Sequence, residues 1–201
     1  GASLHILHQE ATVTLSGNTF SENTAGPLPS GVPIQIFGGG IHVYLDGGDV
    51  TLTNNQFLNN RNLDPFGMGA GLCLDNLPTG TLLMTDNVFV GNQNAGLGGG
   101  AVVNPGSGVT SAVIANNLFV NNQAGVGESD GSAGGISISS DSHVNLINNT
   151  FYNNTADDAG GMSFYAEVAA NIASLYNEVY WGNTPNSIAV FGAGPVQAIY
   201  S

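Results

Sequence analysis

The chain has 201 residues, with one Lys or Arg against fourteen Asp and Glu and a formal net charge of −13. That balance excludes nucleic acid and anionic membrane surfaces as partners, because both are held through basic patches. A single cysteine, Cys73, excludes an internal disulfide, and no apolar run reaches the ~18 residues of a membrane-spanning helix, so no transmembrane segment is expected.

Taken in chain order, Leu4 and Ile6 open a short alternating run that reads as a strand. Val13 and Leu15 form a second, followed by Asn18, Phe20 and Asn23. After an insertion over 24–37 that carries Pro27, Pro29 and Pro33, the order returns: glycines, Ile41 and Val43, then Val50, Leu52, Asn55, Phe57 and Asn60. Leu72 and Leu74 lead into Leu82, Met84, Asn87, Phe89 and Asn92; Ala101 and Val103 lead into Ala112, Ile114, Asn117, Phe119 and Asn122. Ile136 and Ile138 precede Val144, Leu146, Asn149, Phe151 and Asn154. Met162 and Phe164 precede Ala173, Leu175, Asn177, Tyr180 and Asn183, the last set displaced by one residue, and Ile188 with Val190 begins the pattern again. The aromatic residues follow one another by 37, 32, 30, 32 and 29 residues. Self-similarity at such a period indicates a solenoid, a propeller or an array. Each repeat holds two or three short strands and no helical period.

Recurrence of Asn and Phe at matched positions has a physical reading. In an antiparallel meander, equivalent residues of neighbouring repeats would not meet. If each repeat lies above its predecessor in parallel register, strands stack ~4.8 Å apart and identical side chains form columns. The expected fold is therefore all-β, a right-handed parallel β-helix of six to seven coils spanning 1–201 as one domain. Two Asn columns follow, one through Asn18, Asn55, Asn87, Asn117, Asn149 and Asn177, the other through Asn23, Asn60, Asn92, Asn122, Asn154 and Asn183. The inward Phe column holds Phe20, Phe57, Phe89, Phe119 and Phe151. Stacked Asn amides donate and accept along a column, which satisfies polar groups buried at bends. Gly39, Gly40, Gly71, Gly100, Gly135 and Gly161 are expected where the backbone bends sharply or takes positive φ.

The pairing of Gly39-Gly40-Ile41, Gly99-Gly100-Ala101, Gly134-Gly135-Ile136 and Gly160-Gly161-Met162 with Phe-x-x-Asn resembles the repeat of the chlamydial polymorphic outer-membrane proteins, and the broader β-helix repeat proteins of bacterial surfaces. The resemblance implies an extracellular or cell-surface location. It leaves function open, because such coils carry adhesins, autotransporter passengers, phage spikes and polysaccharide enzymes alike.

Neither end carries a polar cap, so the chain reads as a segment of a longer protein or as a subunit whose ends are covered by other copies. The insertions over 24–37, 61–68, 93–97 and 123–133 fall at one corner and are expected to project as a rim. On the glycine-entry strand the outward positions form two columns: His5, His42, Cys73, Val102, Ser137, Ser163, Ala189, and Leu7, Tyr44, Asp75, Asn104, Ser139, Tyr165, Phe191. His42, Tyr44, Asp75, Asn104 and Tyr165 are the candidate ligand-binding residues, suited to a glycan whose ring faces meet aromatics and whose hydroxyls meet polar groups; ordinary solvated sheet is the alternative. Cys73 is expected as a small surface residue, and His5, His42 and Cys73 as adjacent rungs, without the fourth ligand a metal site needs. Leu83, Val113, Ile147 and Tyr176 are expected to be exposed on contiguous coils, as an interface to another chain or domain.

No catalytic set emerges. A lyase base would have to be Arg61, and Asp157-Asp158 lacks the His and Lys partners of a polygalacturonase pattern. No cofactor is called for; calcium is the one metal that the acidic turns Asp46–Asp49 and Glu128–Asp130 would suit, although it takes six to eight oxygens. Two functions remain: a non-catalytic extracellular or cell-surface scaffold, adhesin-like or filament-forming, or a secreted polysaccharide-acting enzyme whose site lies partly outside the segment.

Overall fold

The computed structural model describes residues 2–6, 11–26, 35–126, 131–166, 173–192 and 195–199. Its strands pair in parallel and build a β-helix whose coils present three faces. The first face stacks the glycine-entry strands: Ala2–Ile6, Ile41–Leu45, the starts of Leu72–Thr85 and Ala101–Ala115, Ile136–Ser139, Met162–Ala166 and Ile188–Gly192. The second face stacks Ala11–Ser16, Gly48–Thr53, the ends of those two long strands, Val144–Ile147, Ala173–Tyr176 and Val196–Ile199. Leu72–Thr85 and Ala101–Ala115 run through both faces, which joins them into one sheet. The third face is made of three-residue strands, Thr19–Ser21, Gln56–Leu58, Val88–Val90, Leu118–Val120, Thr150–Tyr152 and Val179–Trp181.

Register follows the inward side chains. Phe20, Phe57, Phe89, Phe119, Phe151 and Tyr180 lie opposite one another from coil to coil. Their rings stack at centroid separations of 5.2, 4.5, 4.7, 4.8 and 4.9 Å, close to the strand spacing itself. On the first two faces the alternating aliphatic residues from Val13 to Leu175 fill the same interior, whereas Val190 in the last described coil is exposed.

The Asn columns close the corners on either side of the third face. Asn55 shows the bonding: its Oδ1 accepts from the Asn18 backbone N–H at 3.0 Å and from Asn18 Nδ2 at 3.1 Å, while its Nδ2 donates to Asn87 Oδ1 at 3.0 Å and to the Leu15 carbonyl at 2.8 Å. Every donor and acceptor of a fully buried amide is thereby used. The second column repeats this from Asn23 to Asn183. The first does not end as expected: Glu178, not Asn177, occupies the rung below Asn149. Asn177 instead has φ 53° and continues a column of left-handed residues with Gly17, Asn54, Asp86, Asn116 and Asn148. Each corner thus takes a pair, the first residue turning the chain through positive φ and the second entering the ladder. Asn, Asp and Gly suit that first position because they tolerate the left-handed region best.

The entry glycines sit at bends, as expected, but not in the left-handed region. Gly71 and Gly100 do not take positive φ; a Cβ at Gly71 would sit 2.5 Å from the Gly100 carbonyl oxygen and 3.2 Å from the Phe89 ring. Close passage of successive coils excludes a side chain there, and the left-handed turn lies two residues earlier, at Gly69 and Gly98.

Candidate functional site

The outward side of the first face is partly roofed. Phe37, Met68 and Leu97 bridge one another in parallel, and Phe37 stacks on His42 at 4.9 Å with an interplanar angle of 20°. His42, Cys73, Val102 and Ser163 are accordingly buried. This corrects the expected surface position of Cys73. Burial pushes its thiol well above the ordinary range, and Asp75 adds in the same direction. One residue in each of the first three insertions folds back over this face, while Phe66 of the second stays 75% exposed. The three that fold back are apolar Phe37, Met68 and Leu97, and the nearest apolar surface is the column they cover.

Two further alignments differ from expectation. His42 and Cys73 are adjacent rungs as expected, but Ser3 lies opposite His42 and His5 opposite Tyr44, so His5 is off that column. On the second face Leu83 pairs with Val113, but Val113 pairs with Asn145, whereas Ile147 pairs with Ala115 and Tyr176. Inward Val144 and Leu146 seat against Ala112 and Ile114, which places Asn145 between them and splits the expected apolar column in two.

Where the roof stops, a groove of about 350 Å³ opens. Ser132, Ser137, Ser139, Ser163, Asn104 and Tyr165 line it with Phe191, and Met68, Leu97 and Val102 close one side. Ser163 Oγ donates to Ser137 Oγ at 3.0 Å and lies 3.4 Å from Ser132 Oγ. Tyr165 and Phe191 occupy neighbouring rungs, 44% and 36% exposed. Asn104 Nδ2 donates to Asp75 Oδ1 at 3.1 Å, and Asn104 Oδ1 is buried with no hydrogen-bond partner among the described residues. A buried acceptor left unmet at a groove wall is where a bound molecule or water completes the bonding.

Of the candidate residues, Asn104 and Tyr165 line the groove, and Asp75 is held on Asn104. Tyr44 is next to Asp75 in register and edge-on to His42 at 6.2 Å, and His42 lies beneath Phe37. Met68, Leu97 and Ser132 escaped the sequence reading, because no sequence signal tells which way an insertion folds. The groove's chemistry is that of hydroxyls beside exposed rings. Asp46–Asp49 lies outside it; Asp49 Oδ1 accepts from Thr81 N–H at 3.0 Å and Thr81 Oγ1 at 2.7 Å. Residues 128–130 lie outside the described residues. Among the described residues no three His, Cys, Asp or Glu gather, and no helix is long and apolar enough to cross a membrane.

No curated protein and no solved structure matches the chain. The family model described as right handed beta helix region matches residues 1–134. With that match over two thirds of the sequence, and with its coils stacked in parallel register on Asn and Phe columns, the chain belongs to the right-handed β-helix family.

Proposed function

We propose that the chain is a non-catalytic scaffold of an extracellular or cell-surface protein, and that the groove on its first face holds a neutral glycan. The observation that carries this reading is the combination in one groove of four serines, Asn104 and the adjacent rings of Tyr165 and Phe191. Hydroxyl and amide groups pair with sugar hydroxyls, and aromatic faces meet the apolar faces of pyranose rings. The net charge of −13 disfavours acidic glycans. The likeness of the repeat to bacterial surface proteins supports the location.

The test is titration calorimetry with a panel of neutral oligosaccharides, run with the native chain and with Tyr165→Ala and Ser137→Val. Binding weakened about tenfold by either substitution, ~1.4 kcal/mol, supports the reading. A neutral oligosaccharide bound unchanged by both variants removes the groove as its site, and turnover of any panel member refutes the non-catalytic role.

A further inference from the structure

The third face presents outward a surface that the sequence reading did not single out. Each of its strands holds one inward aromatic residue between two outward ones, so the outward residues form two parallel columns. Over the three C-terminal coils these are Leu118, Thr150 and Val179 in one column, and Val120, Tyr152 and Trp181 in the other. Trp181 is 72% exposed, Val179 53%, Tyr152 46% and Leu118 36%. Leaving so much apolar area in water is unfavourable, and contiguous patches of this kind mark a binding surface.

The borders of the strip identify what it fits. Along one edge run the exposed left-handed residues Asn116, Asn148 and Asn177; along the other run Asn121 and Asn153. Their amides keep the coil register, with Asn148 Nδ2 donating to Asn116 Oδ1 at 3.3 Å and Asn153 Nδ2 to Asn121 Oδ1 at 2.7 Å. The outward residues of this part of the strip and its bordering amides are uncharged, and Glu178, between Asn177 and Val179, has its carboxylate bonded to Asn149 in the ladder. The result is a flat apolar track, repeating every ~4.8 Å, with hydrogen-bonding amides on both sides.

Two observations argue against a second copy of the chain as occupant. Three rungs two residues wide cover roughly 150–200 Å² by strand spacing, well short of the ~800 Å² per partner of a stable interface. Each copy would also bring a net charge of −13, and like-charged bodies repel. A periodic partner suits a periodic track better than another irregular protein surface does. We infer that the third face binds a neutral linear polysaccharide, its pyranose rings lying on Tyr152 and Trp181 and its hydroxyls bonded to the flanking Asn rows. This surface is separate from the groove on the first face.

Trp181 is the only tryptophan in the sequence, so its fluorescence reports on this face alone. The experiment titrates the full chain with cellohexaose, xylohexaose and mannohexaose, reading Trp emission and acrylamide quenching, and measures retention on insoluble cellulose. Expected are a blue shift and protection from quenching with at least one neutral hexasaccharide. Retention on cellulose should fall at least tenfold in Trp181→Ala and Tyr152→Ala, while Thr14→Ala, at an exposed position of the second face, binds as the native chain does. Circular dichroism checks that the two variants, both at exposed positions, keep the fold. Unchanged emission with every sugar together with no retention overturns the inference. Retention lost in Tyr165→Ala but kept in Trp181→Ala also overturns it, while leaving the groove reading standing. Trp181 protection that follows protein concentration without sugar, with a doubled mass by light scattering, overturns it in favour of a second copy.

Discussion

Glu178 Oε1 accepts two hydrogen bonds from Asn149, 3.1 Å from the backbone nitrogen and 3.0 Å from Nδ2, and so completes a ladder that is otherwise built of amides. Its other oxygen, Oε2, is buried with no hydrogen-bond partner among the described residues. Burial raises the Glu178 carboxyl from 4.5 to about 7, and the two bonds from Asn149 pull back only part of that. Between those values the folded chain keeps a proton that the unfolded chain has released. Stability from this group is therefore full below about pH 4.5 and is lost as pH rises to about 7. Glu178→Gln removes the ionisation; urea unfolding at pH 8 should show a gain of the order of 2 kcal/mol, and the slope between pH 4.5 and 7 should flatten.

Asn117 stands mid-ladder, where the Asn87 backbone N–H and Nδ2 both donate to its Oδ1 at 3.0 Å, and where its own Nδ2 reaches Asn149 Oδ1 and the Met84 carbonyl. Asn117→Ala deletes these bonds and leaves the Asn87 N–H buried and unmet. A loss of ~3–5 kcal/mol is expected from equilibrium denaturation. The exposed Asn116 beside it, changed to Gly, should stay within ~0.5 kcal/mol of the native chain.

Glu22 holds φ 55° at a corner where other coils place Asn or Gly. A long side chain there is strained, so Glu22→Gly should raise stability by ~1 kcal/mol in the same assay. Asn121→Val, at φ 53°, should lower it by ~1–2 kcal/mol, because a β-branched residue is the poorest tenant of that region.

Gly71→Ala forces a methyl group to 2.5 Å from the Gly100 carbonyl oxygen, and backbone cannot yield as a flexible side chain does. Thermal melting should show either a loss above ~3 kcal/mol or no folded chain.

Cys73 should not react with a thiol reagent while the chain is folded. It is fully enclosed and its thiol is held well above the ordinary range. Labelling should appear only in denaturant, and rapid labelling of native material would contradict the roof over the first face.

Much of this fold could be read from the sequence, because its determinants are local and repeated. Phe57 and Asn60 mean the same thing as Phe89 and Asn92, and one period of pattern fixes the register of the next. The reading failed where a position breaks the repeat or depends on a contact far along the chain. Glu178 was passed over for Asn177 because residue type, not the corner's two-residue geometry, guided the alignment. The burial of His42 and Cys73 is not legible in the sequence, because alternation tells which side of a strand faces the core but is silent on what covers the other side. Tyr165 and Asn104 were found, as outward polar and aromatic positions in a column, while Met68, Leu97 and Ser132 reach the groove from insertions whose path no periodicity encodes.

The amide ladder also has a direction. Each rung gives its backbone N–H and one Nδ2 proton to the Oδ1 of the following coil and returns its other Nδ2 proton to a carbonyl of the preceding one, so every interior coil presents the same fittings to its neighbours. A coil copied in tandem would engage both neighbours without any new chemistry, whereas one inverted would set donor against donor. Length in such a molecule is a matter of counting: it can grow or shrink by whole turns through gene duplication or deletion, and fractional changes are rejected at the corners.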